Sequence, residues 1–193
     1  MAFALDDVAF AFAGRPVLDG VSLALEPGRF HGIVGPNGSG KTTLVELLCR
    51  YRRPLRGAIR LGGRPLANWP RRELAREVAL VPQNFYINFP FTVRDVVTMG
   101  RHPYIPRFGG PSARDAATVD RVMAEAEVAD MAGRLVTELS GGERQRVVFA
   151  RALAQDTPVI VLDEASSNLD VGHALRLLGL AAARVRGEGR TAI

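Results

Sequence analysis

The sequence is short of cysteine and lysine and has no long apolar run. Its single cysteine, Cys49, excludes a disulfide framework and any zinc cluster built on thiolates, and it fits a reducing compartment. No stretch approaches the ~18 unbroken apolar residues of a membrane-crossing helix. Residues Met1 to Asp7 show neither the basic region nor the apolar run of a secretory signal. A cytosolic, soluble chain is the expectation. At 193 residues, 47% hydrophobic and 23% charged, the composition excludes disorder, collagen and coiled coil, and it suits one domain or one domain with a subdomain. The net charge of +5 is scattered along the chain, so Arg50, Arg52 and Arg53, and likewise Arg71 and Arg72, read as solvated faces. No nucleic-acid partner is expected.

Of the 25 basic residues, Lys41 is the only lysine. A chain that uses arginine wherever a cation merely sits in water draws attention to this one position. Around it, Gly35-Pro36-Asn37-Gly38-Ser39-Gly40-Lys41-Thr42 fits the phosphate-binding pattern G-x-x-x-x-G-K-[ST]. Arg29 to Val34 reads as a strand leading in, and Leu44 to Cys49 as a buried helix leading out. Glycines let backbone N–H groups converge on phosphate oxygens, and the helix N-terminus adds partial positive charge. Lys41 would reach the β- and γ-phosphates, Thr42 would ligate Mg²⁺, and Thr43 would touch the α-phosphate. A plain Gly-rich turn before a helix is the alternative.

Such a loop needs a carboxylate for its metal. Val159-Ile160-Val161-Leu162 has no alternation, as suits a central parallel strand covered on both faces, and Asp163 follows at its carboxyl end. Glu164 lies next to it, placed to act on an attacking water as general base. Downstream of the loop, Leu139-Ser140-Gly141-Gly142-Glu143 opens an apparent helix over Glu143 to Gln155, where bare N–H groups make a second anion site. An ordinary helix cap at Ser140 is the bland reading of the same residues.

In this order the motifs resemble ATP-binding-cassette (ABC) ATPases. Leu139 to Glu143 is similar to the family's LSGGQ signature, with Glu143 in place of the usual Gln. Gln83 resembles the Q-loop glutamine, and Ser167-Asn168-Leu169-Asp170 the D-loop. Phe12 occupies the place of the aromatic that stacks on adenine, with Phe10 as its competitor. The resemblance implies an α/β fold: a P-loop NTPase (RecA-like) core with an N-terminal antiparallel β subdomain and an inserted α-helical subdomain. It divides the chain into 1–86, core with β subdomain and phosphate loop; 87–140, helical subdomain ending at the signature; and 141–193, the remainder of the core. It implies catalytic roles for Glu164, Gln83 and Lys41, and Mg²⁺ held by Thr42, Asp163 and Gln83. It also implies ATP shared between two copies of the chain, each contributing its signature in trans.

Two features depart from the family pattern. Asp163-Glu164-Ala165-Ser166 replaces the usual Asp-Glu-Pro-Thr. Arg190 to Ile193 reads as the start of the strand leading to the family's switch histidine, so the chain looks truncated there; His31, His102 and His173 are not at that position. Within the family, Arg71 to Arg76 and Phe91 to Arg101 look like the importer branch for iron-siderophore, haem or cobalamin cargo. That likeness implies integral membrane permease subunits and, indirectly, a substrate-binding protein, with the chain on the cytoplasmic face of the membrane. An exporter cassette, a soluble cassette outside transport and a non-hydrolysing ATP-binding module are the rivals. Repair and chromosome ATPases insert long heptad arms between phosphate loop and signature; here Lys41 and Leu139 are 98 residues apart without sustained heptads.

Between the motifs, Leu55 to Leu61 and Val78 to Val81 read as strands with Arg71 to Glu77 helical between them. Thr92 caps Val93 to Met99, and Ser112 with Asp115 opens another helix on which Val119, Val122, Met123 and Ala126 recur at core spacing. The aromatic run Phe85 to Phe91 reads as subdomain core or as part of a permease groove.

Overall fold

A computed structural model describes residues 2–83, 85, 89–164 and 171–193. The chain opens with a hairpin of β1 (Phe3–Phe12) and β2 (Arg15–Leu25), closed by Ala13 and Gly14 at φ 45° and 80°. Two successive positive φ values give the turn whose twist suits a two-residue hairpin. β1 also pairs with β3 (Arg56–Leu61), and the two-residue β4 (Arg64–Pro65) completes an antiparallel sheet in the order β2-β1-β3-β4.

Along β1 the buried residues are Phe3 and Leu5, then Val8 and Phe10. The phase passes from odd to even positions because a register shift with Asp7 at φ 48° inserts one residue, which keeps the apolar face on the same side. Phe12 continues the even phase but sits at the strand's end, where it is 40% exposed.

α1 (Lys41–Leu48) follows the phosphate loop and packs against this sheet, with Leu44, Val45, Leu47 and Leu48 buried in one cluster with β1 and β3. α2 (Arg71–Glu77) runs directly into β5 (Val78–Val81). β5, β6 (Val159–Leu162) and β7 (Thr191–Ala192) form a parallel sheet in that order. Its two faces are both covered. Val159 and Val161 join the α1 cluster, whereas Ile160 and, from β5, Ala79 and Val81 join the helical one. This is why β6 shows no hydrophobic alternation.

The strand expected over Arg29 to Val34 does not form. Phe30 alone bridges Ala192 in parallel, through His31 N to Ala192 O at 2.8 Å and Ala192 N to Arg29 O at 3.0 Å. Val34, at the end of that segment, is 93% exposed, without a neighbouring strand over it among the described residues.

Between β5 and β6 the described residues are helical: α3 (Val93–Met99), α4 (Ala113–Glu125) and α5 (Gly141–Ala154), with α6 (Val171–Glu188) after β6. α3, α4 and α5 start alike. Thr92, Ser112 and Ser140 each accept from the backbone N–H three residues on, and Asp95, Asp115 and Glu143 reach back to the cap's own N–H. The stripe Val119, Val122, Met123 and Ala126 is buried core.

Two arginine features tie this region to the rest. Arg101 is 4% exposed, donates to Asp115 Oδ1 at 2.8 Å and to Ala154 O at 2.7 Å, and lies 4.0 Å from the Tyr104 ring centre. Arg72 and Arg76 of α2 both donate to Pro103 O at 2.9 Å, so one of the arginines read as a solvated face clasps the loop before α4.

Candidate nucleotide site

The phosphate loop is shaped by two glycines. Gly38 at φ 81° and Gly40 at φ 91° adopt a left-handed backbone that other residues rarely tolerate. At Gly40 space closes as well: a Cβ would stand 2.9 Å from Leu18 Cδ2 and 3.2 Å from Val17 O, because β2 presses against the loop here. Gly40 caps α1, and Ser39 N donates to Pro36 O at 3.2 Å to close the turn. Lys41 Nζ folds over the loop and donates to Gly35 O at 2.9 Å and Pro36 O at 3.0 Å. Its ammonium is therefore held against the loop's own carbonyls, on the wall of the cavity the loop borders.

β6 delivers Asp163 to the same place from 121 positions away. Thr42 Oγ1 donates to Asp163 Oδ1 at 3.3 Å, and Asp163 N is held by Val81 O at 2.9 Å. Burial pushes the Asp163 carboxyl above its ordinary range, and the negative charges of Glu164 and Glu46 add to this; the Thr42 bond and Lys41 pull the other way. A buried carboxylate crowded by two others and facing a hydroxyl suits a hard divalent cation, which would relieve that repulsion. The donor set thus fits Mg²⁺ completed by phosphate oxygens. Among the described residues no cluster of three His, Cys, Asp or Glu could hold a metal alone.

Gln83 and Glu164, 81 positions apart, meet directly: Gln83 Nε2 donates to Glu164 Oε2 at 2.5 Å. Glu164 stands at φ 46°, a left-handed backbone unusual for a non-glycine residue and held only where surroundings enforce it. Both side chains line a cavity of about 420 Å³ with Phe12, Val17, Asn37, Gly38, Gly40, Lys41, Thr42 and Thr43. Of the two candidate aromatics, Phe12 is on the cavity wall and Phe10 is buried, its ring 5.0 Å from that of Phe12 at 81°.

The signature residues are elsewhere. None of Leu139 to Glu143 lines this cavity. Leu139 is core, while Ser140 and Gly141 lie exposed at the start of α5. Glu143 has a local reason to be there. Its carboxylate accepts from Ser140 N at 2.8 Å and pairs with Arg134 at 2.9 Å; the Ser140 bonds, then Arg134, bring it down to about 2. The structure shows the ordinary cap at Ser140, which starts α5 at the same residues that resemble the signature. Ser167, Asn168, Leu169 and Asp170 lie outside the described residues.

Sequence reasoning missed Val17 on the cavity wall and Glu46 beside Asp163. Glu46 follows Thr42 by one helical turn on α1, the only signal that could have pointed to it.

The family described as ABC transporter matches residues 18–167. The chain belongs to the ABC transporter family. Among its relatives, the cobalamin import ATP-binding protein BtuD of Halobacterium salinarum is 44% identical over 181 residues, 94% of this chain and 45% of that protein. The hemin import ATP-binding protein HmuV of Nocardia farcinica is 45% identical over 174 residues, 89% of this chain and 59% of that protein. This ABC chain therefore spans about half of the first of these relatives and three-fifths of the second. A solved dimeric bacterial ABC transporter cassette superposes with a TM-score of 0.86 at 25% identity, covering 98% of this chain and 85% of that one.

Proposed function

We propose that the chain carries the ATP-hydrolysing motor of an ABC importer for iron-siderophore, haem or cobalamin-type cargo. One observation carries the reading. Lys41, Thr42, Gln83 and Glu164 share one cavity, while the exposed glycine turn at Ser140 to Glu143 stands outside it. Each half is a phosphate binder that leaves ligand positions open, so two copies placed head to tail complete each other. The dimeric cassette of the same fold supports that arrangement.

In this reading Phe12 takes the adenine face, residues 35–43 enclose the phosphates, and Ser140 to Gly142 of the second copy close over the γ-phosphate. Mg²⁺ between Thr42, Asp163 and Gln83 would supply charge neutralisation on the terminal phosphates. Glu164 accepts the proton of a water whose oxygen attacks the γ-phosphorus; the bond to the β–γ bridging oxygen breaks, and ADP and inorganic phosphate leave. Gln83 holds the Glu164 carboxylate in place by its amide. Loss of the shared phosphate removes the link between copies, and the pair reopens.

Residues 1–86, 87–140 and 141–193 divide as core, helical subdomain and core. Among the described residues no helix is long and apolar enough to cross a membrane; membrane permease subunits are the proposed partners. The helical subdomain, with the aromatic run that begins at Phe85, is the proposed docking side for these subunits. The import names of the 44–45% identical relatives support the cargo class and a seat on the cytoplasmic face of the membrane. Replacing Glu164 by Gln tests the reading. Phosphate release should fall at least a hundredfold while ATP-dependent dimers accumulate in size-exclusion runs. Unchanged turnover would remove Glu164 from the chemistry.

A further inference from the structure

The Phe12 ring is gripped from behind by a residue that does not reach the nucleotide cavity. Arg52 places its guanidinium carbon 4.4 Å from the Phe12 ring centre and 5.6 Å from that of Phe10. Phe12 lines the cavity; Arg52 instead borders a separate apolar recess of about 160 Å³ beside Leu47 and Ile59.

Arg52 is itself fastened to the helix that begins at Lys41. Arg50 at φ 58° ends α1 in a left-handed turn and sends the chain back along it. Tyr51 N then donates to Glu46 O at 2.8 Å and Arg52 N to the same oxygen at 3.3 Å. The Arg52 side chain closes the loop by pairing with the Glu46 carboxylate. Leu55 N donates to Ala9 O at 2.8 Å, which stitches the segment to β1.

We propose that Arg52 is a positioning residue for the base of the bound nucleotide, holding Phe12 by its rear face at a set distance from the phosphate loop. The inference rests on Phe12 being the base-stacking residue. At a strand end and 40% exposed, Phe12 has little packing to fix its ring. A cation over one face supplies that restraint through the ring quadrupole. The Glu46 pair ties Arg52 to α1, the helix that begins at Lys41 of the phosphate loop.

The test compares ATP with inorganic tripolyphosphate, each with Mg²⁺, by titration calorimetry on the full chain. Tripolyphosphate engages the phosphate loop alone, so the ratio of the two affinities isolates the base. Arg52→Ala should weaken ATP roughly three- to tenfold and leave tripolyphosphate within about twofold. Arg52→Lys, which keeps a cation behind the ring, should recover most of the loss. Equal weakening of both ligands would place Arg52's effect in the phosphate loop and overturn the proposal. So would an unchanged ratio in Arg52→Ala while Phe12→Ala abolishes the advantage of ATP, a result that leaves the stacking role of Phe12 standing. If Phe12→Ala keeps the full ratio, the stacking reading itself falls and takes Arg52's role with it.

Discussion

Removing the Arg101 side chain tests how the helical region is joined to the core. Arg101 and Asp115 have side chains 5% and 8% exposed, and they meet at 2.8 Å. Arg101→Ala leaves a buried carboxylate without its counter-charge and uncovers Ala154 O at the end of α5. Breaking a buried pair from one side costs about 3–5 kcal/mol. For a chain of this size the melting temperature should fall by roughly 6–20 °C. Asp115 also supplies the sign of a pH effect. Its carboxyl is held at about 2, against an ordinary 3.8, through the Ser112 bonds and Arg101. The stabilisation is therefore present above pH ~4 and is lost as pH falls toward 2. Because Arg101 contributes to that depression, the gap between wild type and Arg101→Ala should narrow over the same window. Urea unfolding followed by circular dichroism at pH 7, 4 and 3 reads both quantities. A double change, Arg101→Met with Asp115→Ala, removes both charges and should cost less than Arg101→Ala alone. A single-variant loss below about 1 kcal/mol, or a gap constant down to pH 3, would refute the clamp.

Three further outcomes follow from the site. Gly40→Ala forces a Cβ against Leu18 and Val17 O at a positive φ; about 1–3 kcal/mol of strain and a severe loss of ATP binding are expected by melting and calorimetry. Asp163→Asn should abolish the gain in ATP affinity on adding Mg²⁺ and leave binding in EDTA nearly unchanged, which paired titrations would show. Cys49 should resist a thiol reagent at pH 8 until urea unfolds the chain, because burial, with the charge of Asp163, pushes its thiol up to about 12; labelling of the folded protein would contradict this.

The local elements were legible because their signals are local. A cap and its partner three residues on, as in Thr92 with Asp95 and Ser112 with Asp115, are complete within one turn. The glycines of the phosphate loop announce positive φ by themselves, and an unbroken run such as Val159 to Leu162 reports burial on both faces. Arg29 to Val34 is the converse: a strand forms only with a distant ladder partner, which no local signal reports, and among the described residues Phe30 alone bridges Ala192.

Residue identity and short spacing alone determined the phosphate-loop pattern, the carboxylate at the end of β6, the capped helices and the order of motifs. Which distant groups meet was decided by packing. Gln83 reaches Glu164 only because β5 and β6 run parallel in register, carrying both to the same sheet end. Phe12 rather than Phe10 lines the cavity because, on the same phase of β1, Phe10 lies under the core while Phe12 ends the strand beside the phosphate loop. Arg101, unremarkable in a chain with 24 arginines, became a buried clamp because three helix ends converge on it. Hydrogen bonds within a turn are encoded where they form, whereas contacts between residues far apart in the chain depend on how the whole core closes.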